Sequence, residues 1–267
     1  MTRDDVARLR DAYDTQLRAH VNDRLPESVR VEQDDPLVRT VGFGNHGFVE
    51  YRDLGGVDGE ALDSLIARQV QVFAERGERF EWKLHGHDLP ADLPDRLRSA
   101  GFVPHEPETV VIAAVVDVAA EPRLPDGVTI AEVREADDFA RLRQLEESVW
   151  SKEQSWVGHL ADERAADPEG LRIFAAEAGD LTVSAGWVRF PSDTEFATFW
   201  GGATLPAWRG RGIYRALVAH RANLAAERGR RYIQVDASDD SRPILERLGF
   251  LAVTTTTPYV WSPPRTG

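Results

Sequence analysis

The residues with the clearest capacity for chemistry are the run Thr204-Leu205-Pro206-Ala207-Trp208-Arg209-Gly210-Arg211-Gly212-Ile213-Tyr214. It follows a strand-like stretch and opens a helical one. Glycines let successive backbone N–H groups turn towards a ligand, and the start of a helix adds positive potential. Together these features suit a pyrophosphate, and Arg209 and Arg211 can supplement the charge. Other groupings carry less. Gly42-Phe43-Gly44-Asn45-His46-Gly47 has the glycine spacing of a dinucleotide site, but Phe48-Val49-Glu50-Tyr51 reads as strand where such a site needs a helix. A glycine-rich hairpin is expected there. His85-Gly86-His87-Asp88 carries metal-ligating side chains without a third His or Glu at obvious spacing, so a turn is expected and no metal site is assigned. The chain has no cysteine, which excludes disulfides, thiolate metal sites and a cysteine nucleophile.

The elements that must position the glycine-arginine loop are legible as periodicity. In the second half, Val128–Val133 reads as a strand, and Phe139, Leu142, Leu145 and Val149 mark a helix. Leu171–Ala176, Thr182–Phe190 and Phe196–Leu205 read as successive strands, with turns at Gly179-Asp180 and Pro191-Ser192-Asp193. Ile213, Ala216, Leu217, His220 and Leu224 line a helix that ends Ala226-Glu227-Arg228-Gly229. Tyr232–Val235, a short helix Arg242–Arg247, Leu248-Gly249-Phe250 and a strand towards Val260 complete that half. The first half repeats the order. A helix with Val6, Leu9, Tyr13, Leu17 and Val21 on one face opens it. Later come a helix Glu60–Arg76, a strand Phe80–Leu84, a helix Leu93–Ser99, Ala100-Gly101-Phe102 and a strand Thr109–Val116. Ala-Glu-Arg-Gly and Gly-Phe recur in both halves, which points to an internal duplication. The Pro- and Gly-bearing stretch 119–127 reads as a linker between a unit 1–118 and a unit 128–267.

At 267 residues the chain suits two domains. Its net charge of −13 argues against a nucleic-acid partner, because phosphate binding needs basic faces. Residues 1–126 carry 15 basic and 25 acidic side chains, and residues 127–267 carry 17 and 20. An acidic half can draw in a cationic amine, and it equally serves as a solvated surface. No run approaches the about 20 apolar residues of a membrane helix, and the amino terminus lacks the features of a secretory signal. The expected setting is therefore cytoplasmic, without a membrane partner.

Ala207-Trp208-Arg209-Gly210-Arg211-Gly212, its lead-in Thr204-Leu205-Pro206 and the downstream Leu248-Gly249-Phe250 resemble the GCN5-related N-acetyltransferase (GNAT) superfamily. The resemblance covers residues about 128–262, and reaches the first half through the echo alone. It implies two GNAT-like α/β units with mixed, mostly antiparallel, splayed sheets, the first degenerate and the second catalytic, as in tandem GNAT enzymes. It implies acetyl-CoA as co-substrate, held by Thr204, Leu205, Trp208, Arg209, Gly210, Arg211, Gly212, Ile213, Tyr214 and Ser238. The amine of a small, cationic acceptor would attack the thioester directly in a ternary complex, with no metal. Trp150 and Trp156 fall where the family shapes its acceptor pocket, although Trp150, Trp156, Trp187 and Trp200 are core candidates too. The sequence departs from the family at two places. Ser238 stands where an Asn is common, and Leu245 where a Tyr often serves as general acid. Tyr214 and Tyr259 are the substitutes for that acid, and Asp236 or Glu195 the candidate base, against water as the proton acceptor. The missing Tyr leaves a non-catalytic acyl-CoA-binding or regulatory module as the alternative. In the first half the stretch Asp53-Leu54-Gly55-Gly56-Val57-Asp58-Gly59 would repel a pyrophosphate, so no coenzyme is expected there. Either a monomer or a homodimer fits a tandem chain.

Overall fold

The same two helix-stop signals recur in both halves, and each forms the same turn. In the computed structural model, which describes residues 3–44 and 46–264, the packing divides into two compact units. The first comprises 1–21, 27–110 and 252–267, the second 22–26 and 111–251.

The first unit holds α1 (Arg3–Gln16), β1 (Arg30–Asp34), β2 (Leu37–Phe43), β3 (His46–Glu50), α2 (Gly59–Arg76), β4 (Arg79–His85), α3 (Leu93–Ser99) and β5 (Val103–Pro104). The second holds most of β6 (Glu108–Ala114), then α4 (Val115–Val118), β7 (Val128–Glu132), α5 (Ala136–Trp150), α6 (Trp156–Ala166), β8 (Leu171–Ala178), β9 (Leu181–Arg189), β10 (Phe196–Thr204), α7 (Ile213–Glu227), β11 (Tyr232–Ala237) and α8 (Arg242–Arg247). The last strand, β12 (Leu251–Trp261), belongs almost wholly to the first unit. The expected hairpin forms between β2 and β3, with Asn45 outside the described residues.

Ala-Glu-Arg-Gly closes α2 with Gly77 N–H on Ala74 O and Glu78 N–H on Phe73 O. It closes α7 with Gly229 N–H on Ala226 O and Arg230 N–H on Ala225 O. Both are Schellman turns, which need the left-handed backbone that glycine accepts (φ +67° at Gly77, +68° at Gly229). Gly-Phe does the same after α3 and α8, with Phe102 on Leu97 O and Phe250 on Leu245 O. Leu245 is fully buried with Phe250 in the second unit's core, which explains an apolar residue at that place.

The last strand of each half, β6 and β12, does not stay in the unit of its own stretch of sequence. β12 pairs antiparallel with β4, from Thr256–His85 to Trp261–Phe80, and touches β5 at Tyr259–Pro104. Tyr259 and Trp261 complete the aromatic core of the first unit with Phe73, Phe80, Trp82 and Phe102. β6 instead neighbours β11, and its Val111 and Ala113 enter the core of the second unit. The boundaries 1–118 and 128–267 thus differ from the observed packing at two strands. The stretch 119–127 is docked and not free, with Asn223 Nδ2 donating to Ala120 O at 2.9 Å and Leu124 packed on the core. Strand 109–116 ends early, because Val115–Val118 form a helical turn against α7.

Within the first unit the sheet runs β1-β2-β3-β4-β12, and within the second β6-β11-β10-β9-β8-β7. In each, one parallel pair flanks the long helix: β3 with β4 around α2, and β10 with β11 around α7. The other registered pairs among the described residues are antiparallel, so both units are mixed, mostly antiparallel α/β folds. Among the described residues no helix is long and apolar enough to cross a membrane.

The His85–Asp88 turn is a buried polar network. Arg18 donates to Asp88 Oδ1 at 2.7 Å, Tyr51 Oη to Asp88 Oδ2 at 2.5 Å, and His85 N–H to the same oxygen at 2.8 Å. His87 bridges Asp14 and Thr254, and His85 meets Tyr13 Oη. Among the described residues no group of His, Cys, Asp and Glu could hold a metal ion. Burial works to raise the Asp88 carboxyl, but hydrogen bonds from His85 and Tyr51 and the charge of Arg18 hold it at about 2.

Two outcomes follow. Fragments 1–118 and 119–267 expressed apart each lack a core strand, and burial of two aromatics such as Tyr259 and Trp261 contributes roughly 4 kcal/mol. Neither is expected to give a cooperative melt alone, and co-expression is expected to restore a soluble complex. For Asp88, a folded-state value below the ordinary 3.8 stabilises above that pH and loses its effect as pH falls towards about 2. Acid titration followed by circular dichroism should show that loss in the wild type and a flatter profile in Asp88→Asn.

Candidate functional site

The site is created where two strands stop pairing. β10 and β11 run parallel and are registered over Phe196–Phe199 and Tyr232–Val235. β10 continues to Thr204 and β11 to Ala237 without further registered pairs, so the two strands splay. On the other side of β10 the register with β9 shifts between Gly201 and Ala203. A bulge of this kind bends the strand that carries it, here away from β11. Gly201 (φ +74°) and Gly202 (φ +116°) supply the backbone it needs. Side chains there are excluded sterically as well. A Cβ on Gly201 would lie 2.3 Å from the Trp187 ring, and one on Gly202 2.9 Å from the Tyr214 ring.

A buried arginine props the bulge from the α7 side. Arg221 donates Nη1 to Trp187 O at 2.9 Å and to Trp200 O at 3.1 Å, and Nε to Leu217 O. Its guanidinium lies 4.6 Å over the Phe199 ring. It is 1% exposed and has no carboxylate partner among the described residues. Burial alone lowers its proton affinity, to about 10. The expected apolar face of α7 at Ile213, Ala216 and Leu217 is buried, while His220 and Leu224 are partly exposed. Arg221 escaped the sequence reading because an arginine on a helix is ordinarily solvent-facing. Its i+4 spacing from Leu217 was the one available signal.

The exit of β10 is tied down. Leu205 N–H donates to Val183 O at 2.9 Å, and Ser184 Oγ reaches Ala203 O and the Thr204 hydroxyl, each at 2.8 Å. Pro206–Trp208 form one 3₁₀ turn. Arg209 folds back to Thr204 O at 3.1 Å, and the Arg211 guanidinium stacks 4.7 Å from the Trp208 ring. Gly212 (φ +84°) begins α7 with no side-chain cap and no acidic residue in its first turn. Arg215 reaches this position, its Nη2 3.7 Å from where a Gly212 Cβ would sit. The first N–H groups of a helix have no intrahelical acceptor and carry positive potential, so this end suits an anionic group such as a diphosphate. The first unit is the opposite. There α2 begins Asp58-Gly59-Glu60, and Gly55 N–H is already taken by Asp53 Oδ1 at 2.8 Å.

The other candidate residues fall as follows. Tyr214 is half-buried beside the bulge, and burial raises its hydroxyl above the ordinary value while Arg221 works to lower it. Asp236, on β11 just past the last registered pair, accepts from Gln234 Nε2 at 2.8 Å. Ser238 is exposed and shares a 3.2 Å hydrogen bond with Ser241 at the start of α8. Glu195 precedes β10, at the far end of a nine-residue strand of about 30 Å, and pairs with Arg231. Tyr259 is 3% exposed inside the first unit's core. Trp187 is buried, but Trp200 and Trp150 are 38% and 59% exposed and so are not core residues. Trp156 tilts against Trp187 with ring centroids 5.4 Å apart. Trp187, Ala203 and Leu205 join the apolar cluster beneath α5 and α6.

Residues 134–250 match the model of the Acetyltransferase (GNAT) family. No curated protein matches the sequence. Among solved structures, a GCN5-related N-acetyltransferase from Kribbella flavida is similar at TM-score 0.64 and 17% identity, covering 89% of this chain and 90% of that one. A GCN5-related N-acetyltransferase from Sphaerobacter thermophilus is similar at 0.63 and 12%, covering 85% and 76%. A tandem GNAT protein from the clavulanic acid biosynthesis pathway is similar at 0.61 and 13%, covering 91% and 86%.

The bulge and the loop differ in tolerance. Gly201→Ala must displace the Trp187 ring and strain the backbone, and is expected to cost about 3 kcal/mol. Gly210 has open space around it, so Gly210→Ala carries the positive-φ penalty alone, about 1 kcal/mol. Urea melts of both variants measure the difference.

Proposed function

With a GNAT-family domain over residues 134–250, the chain is a member of the GNAT superfamily, and on that premise we propose that its second unit transfers an acetyl group from acetyl-CoA to a primary amine. The uncapped, acid-free start of α7 behind the Gly210-Arg211-Gly212 loop carries this reading. The diphosphate lies on the N–H groups at the start of α7, with Arg209, Arg211 and Arg215 adding positive charge. The pantetheine arm enters the splay between β10 and β11, where the two strands have no registered pair past Phe199 and Val235, and Ser238 lies at its far side. The thioester carbonyl faces the bulge at Gly201–Thr204, and a backbone N–H there stabilises the oxyanion.

The amine nitrogen attacks the carbonyl carbon, a C–N bond forms, and the C–S bond breaks to release the coenzyme A thiolate. The ammonium proton passes to Asp236 or to water, and Tyr214, whose ring lies against Gly202, supplies the proton for the departing thiolate. Leu245 cannot donate a proton, and Tyr259 is committed to the first unit's core. The first unit takes no coenzyme, because Asp53, Asp58 and Glu60 occupy the start of α2. The buried Leu245 favours, as the second reading, a module that binds acyl-CoA without turnover.

Calorimetric titration with acetyl-CoA is expected to give one equivalent, with binding weakened at least about 100-fold in Gly210→Glu and Gly212→Glu. Two equivalents would place a coenzyme in the first unit, and none would remove the transferase reading. An amine screen with thiol-release readout then separates enzyme from module. Tyr214→Phe should lower kcat about 10- to 100-fold with acetyl-CoA affinity unchanged, whereas binding with no turnover of any amine would support the module.

A further inference from the structure

The helix α5 buries a carboxylate that no cation among the described residues neutralises. Glu146 is 3% exposed, next to Leu142 and Leu145 on the face of α5 that packs against β9 and β10. Its Oε2 accepts from Trp150 Nε1 at 2.9 Å, and its Oε1 has no hydrogen-bond partner among the described residues. Arg143, one turn earlier, runs along α6 instead, its Nη2 3.8 Å from where a Gly158 Cβ would sit. An unpaired buried carboxylate is costly, and burial accordingly raises its proton affinity. Gln154 and Trp187, in the same unit, also carry unsatisfied polar atoms. Gln154 is 3% exposed, its Oε1 accepts from Trp156 Nε1, and its Nε2 has no partner. Trp187 has an unpartnered Nε1 and lays its ring over Gly201 of the bulge. Trp156 tilts against that ring, and Trp150 leaves most of its indole in solvent above Glu146.

A buried anion and the indoles of Trp150, Trp156 and Trp187 have a common complement: an ammonium group on a slender apolar body. The anion supplies the charge partner, and the indole faces attract a cation while covering apolar carbon. We propose that Glu146, with Trp150, Trp156 and Trp187, seats the ammonium of the acceptor, so that the substrate class is small monoamines with an aromatic or alkyl body and no carboxylate of their own. This rests on the transferase reading above, and Glu146 is a specificity-determining residue within it. It holds the reacting nitrogen beside the bulge before the proton is lost. An amino acid brings a second carboxylate towards Glu146 and is rejected. An alcohol of the same shape satisfies the indoles but leaves Glu146 unpaired.

The test is calorimetric titration of the coenzyme A-loaded protein with phenethylamine, hexylamine, phenethyl alcohol and phenylalanine. The two amines are expected to bind at least tenfold more tightly than the alcohol and the amino acid. Glu146→Gln, isosteric and neutral, should erase the tenfold preference while acetyl-CoA binding stays unchanged, and Glu146→Asp should keep part of it. Trp150→Ala should weaken the amines and the alcohol alike. Glu146→Gln should also melt no lower than the wild type, since it removes an uncompensated buried charge, and this separates a lost site from a lost fold. Equal binding of amine and alcohol in the wild type, an intact preference in Glu146→Gln, or no amine binding to a protein that takes coenzyme A would each overturn the proposal. Failure of acetyl-CoA itself to bind would instead remove the transferase reading beneath it.

Discussion

Four registered residue pairs hold β10 to β11, and the remainder of the second unit's architecture depends on the ladder stopping there. Had it continued, β10 and β11 would stay paired past Phe199 and Val235 and would not splay. The bulge at Gly201–Gly202 bends β10 away, and three neighbours fix it. Trp187 covers one glycine, Tyr214 touches the other, and Arg221 grips the carbonyls of Trp187 and Trp200 from the α7 side. A buried guanidinium without a carboxylate is an expensive way to satisfy two carbonyls. Here it also places a positive charge under the strand segment where the splay opens, close to Tyr214.

The two units show how the same frame is made to differ. Each has a parallel strand pair, a long helix between them, and matching Schellman stops on that helix and on the short helix after it. They diverge at the start of the long helix. α7 leaves its first N–H groups uncapped behind two positive-φ glycines, and α2 places Asp58 and Glu60 there. On the proposed function those N–H groups hold the diphosphate, and a few side chains then decide which unit can take it.

The buried polar groups fall into two kinds. In the first unit Arg18, Asp88, Tyr51, His85 and His87 form a network in which Arg18 and Asp88 pair, which suits a structural role in fixing α1 to the turn after β4. His85 Nδ1 and Asp14 Oδ1 there have no hydrogen-bond partner among the described residues. In the second unit, Glu146, Gln154 and Trp187 each leave an atom without a hydrogen-bond partner among the described residues, and Glu146 has no ion-pair partner among them.

The sequence by itself determined the local features: the helix stops, the alternation of strands and helices, the hairpin at Gly42–Gly47 and the glycine loop before α7. Each of these is set by backbone conformations that particular residues favour over a few neighbours, and the resemblance rested on the same residues. The tertiary structure alone decided which unit each terminal strand joins, and so took Tyr259 into the first unit and Val111 into the second. Pairing partners of a strand are chosen by long-range packing, which a period of two cannot encode. It also decided that Arg221 and Glu146 are buried. On a helix each looks like an ordinary solvated charge, and only the sheet packed against it removes the water.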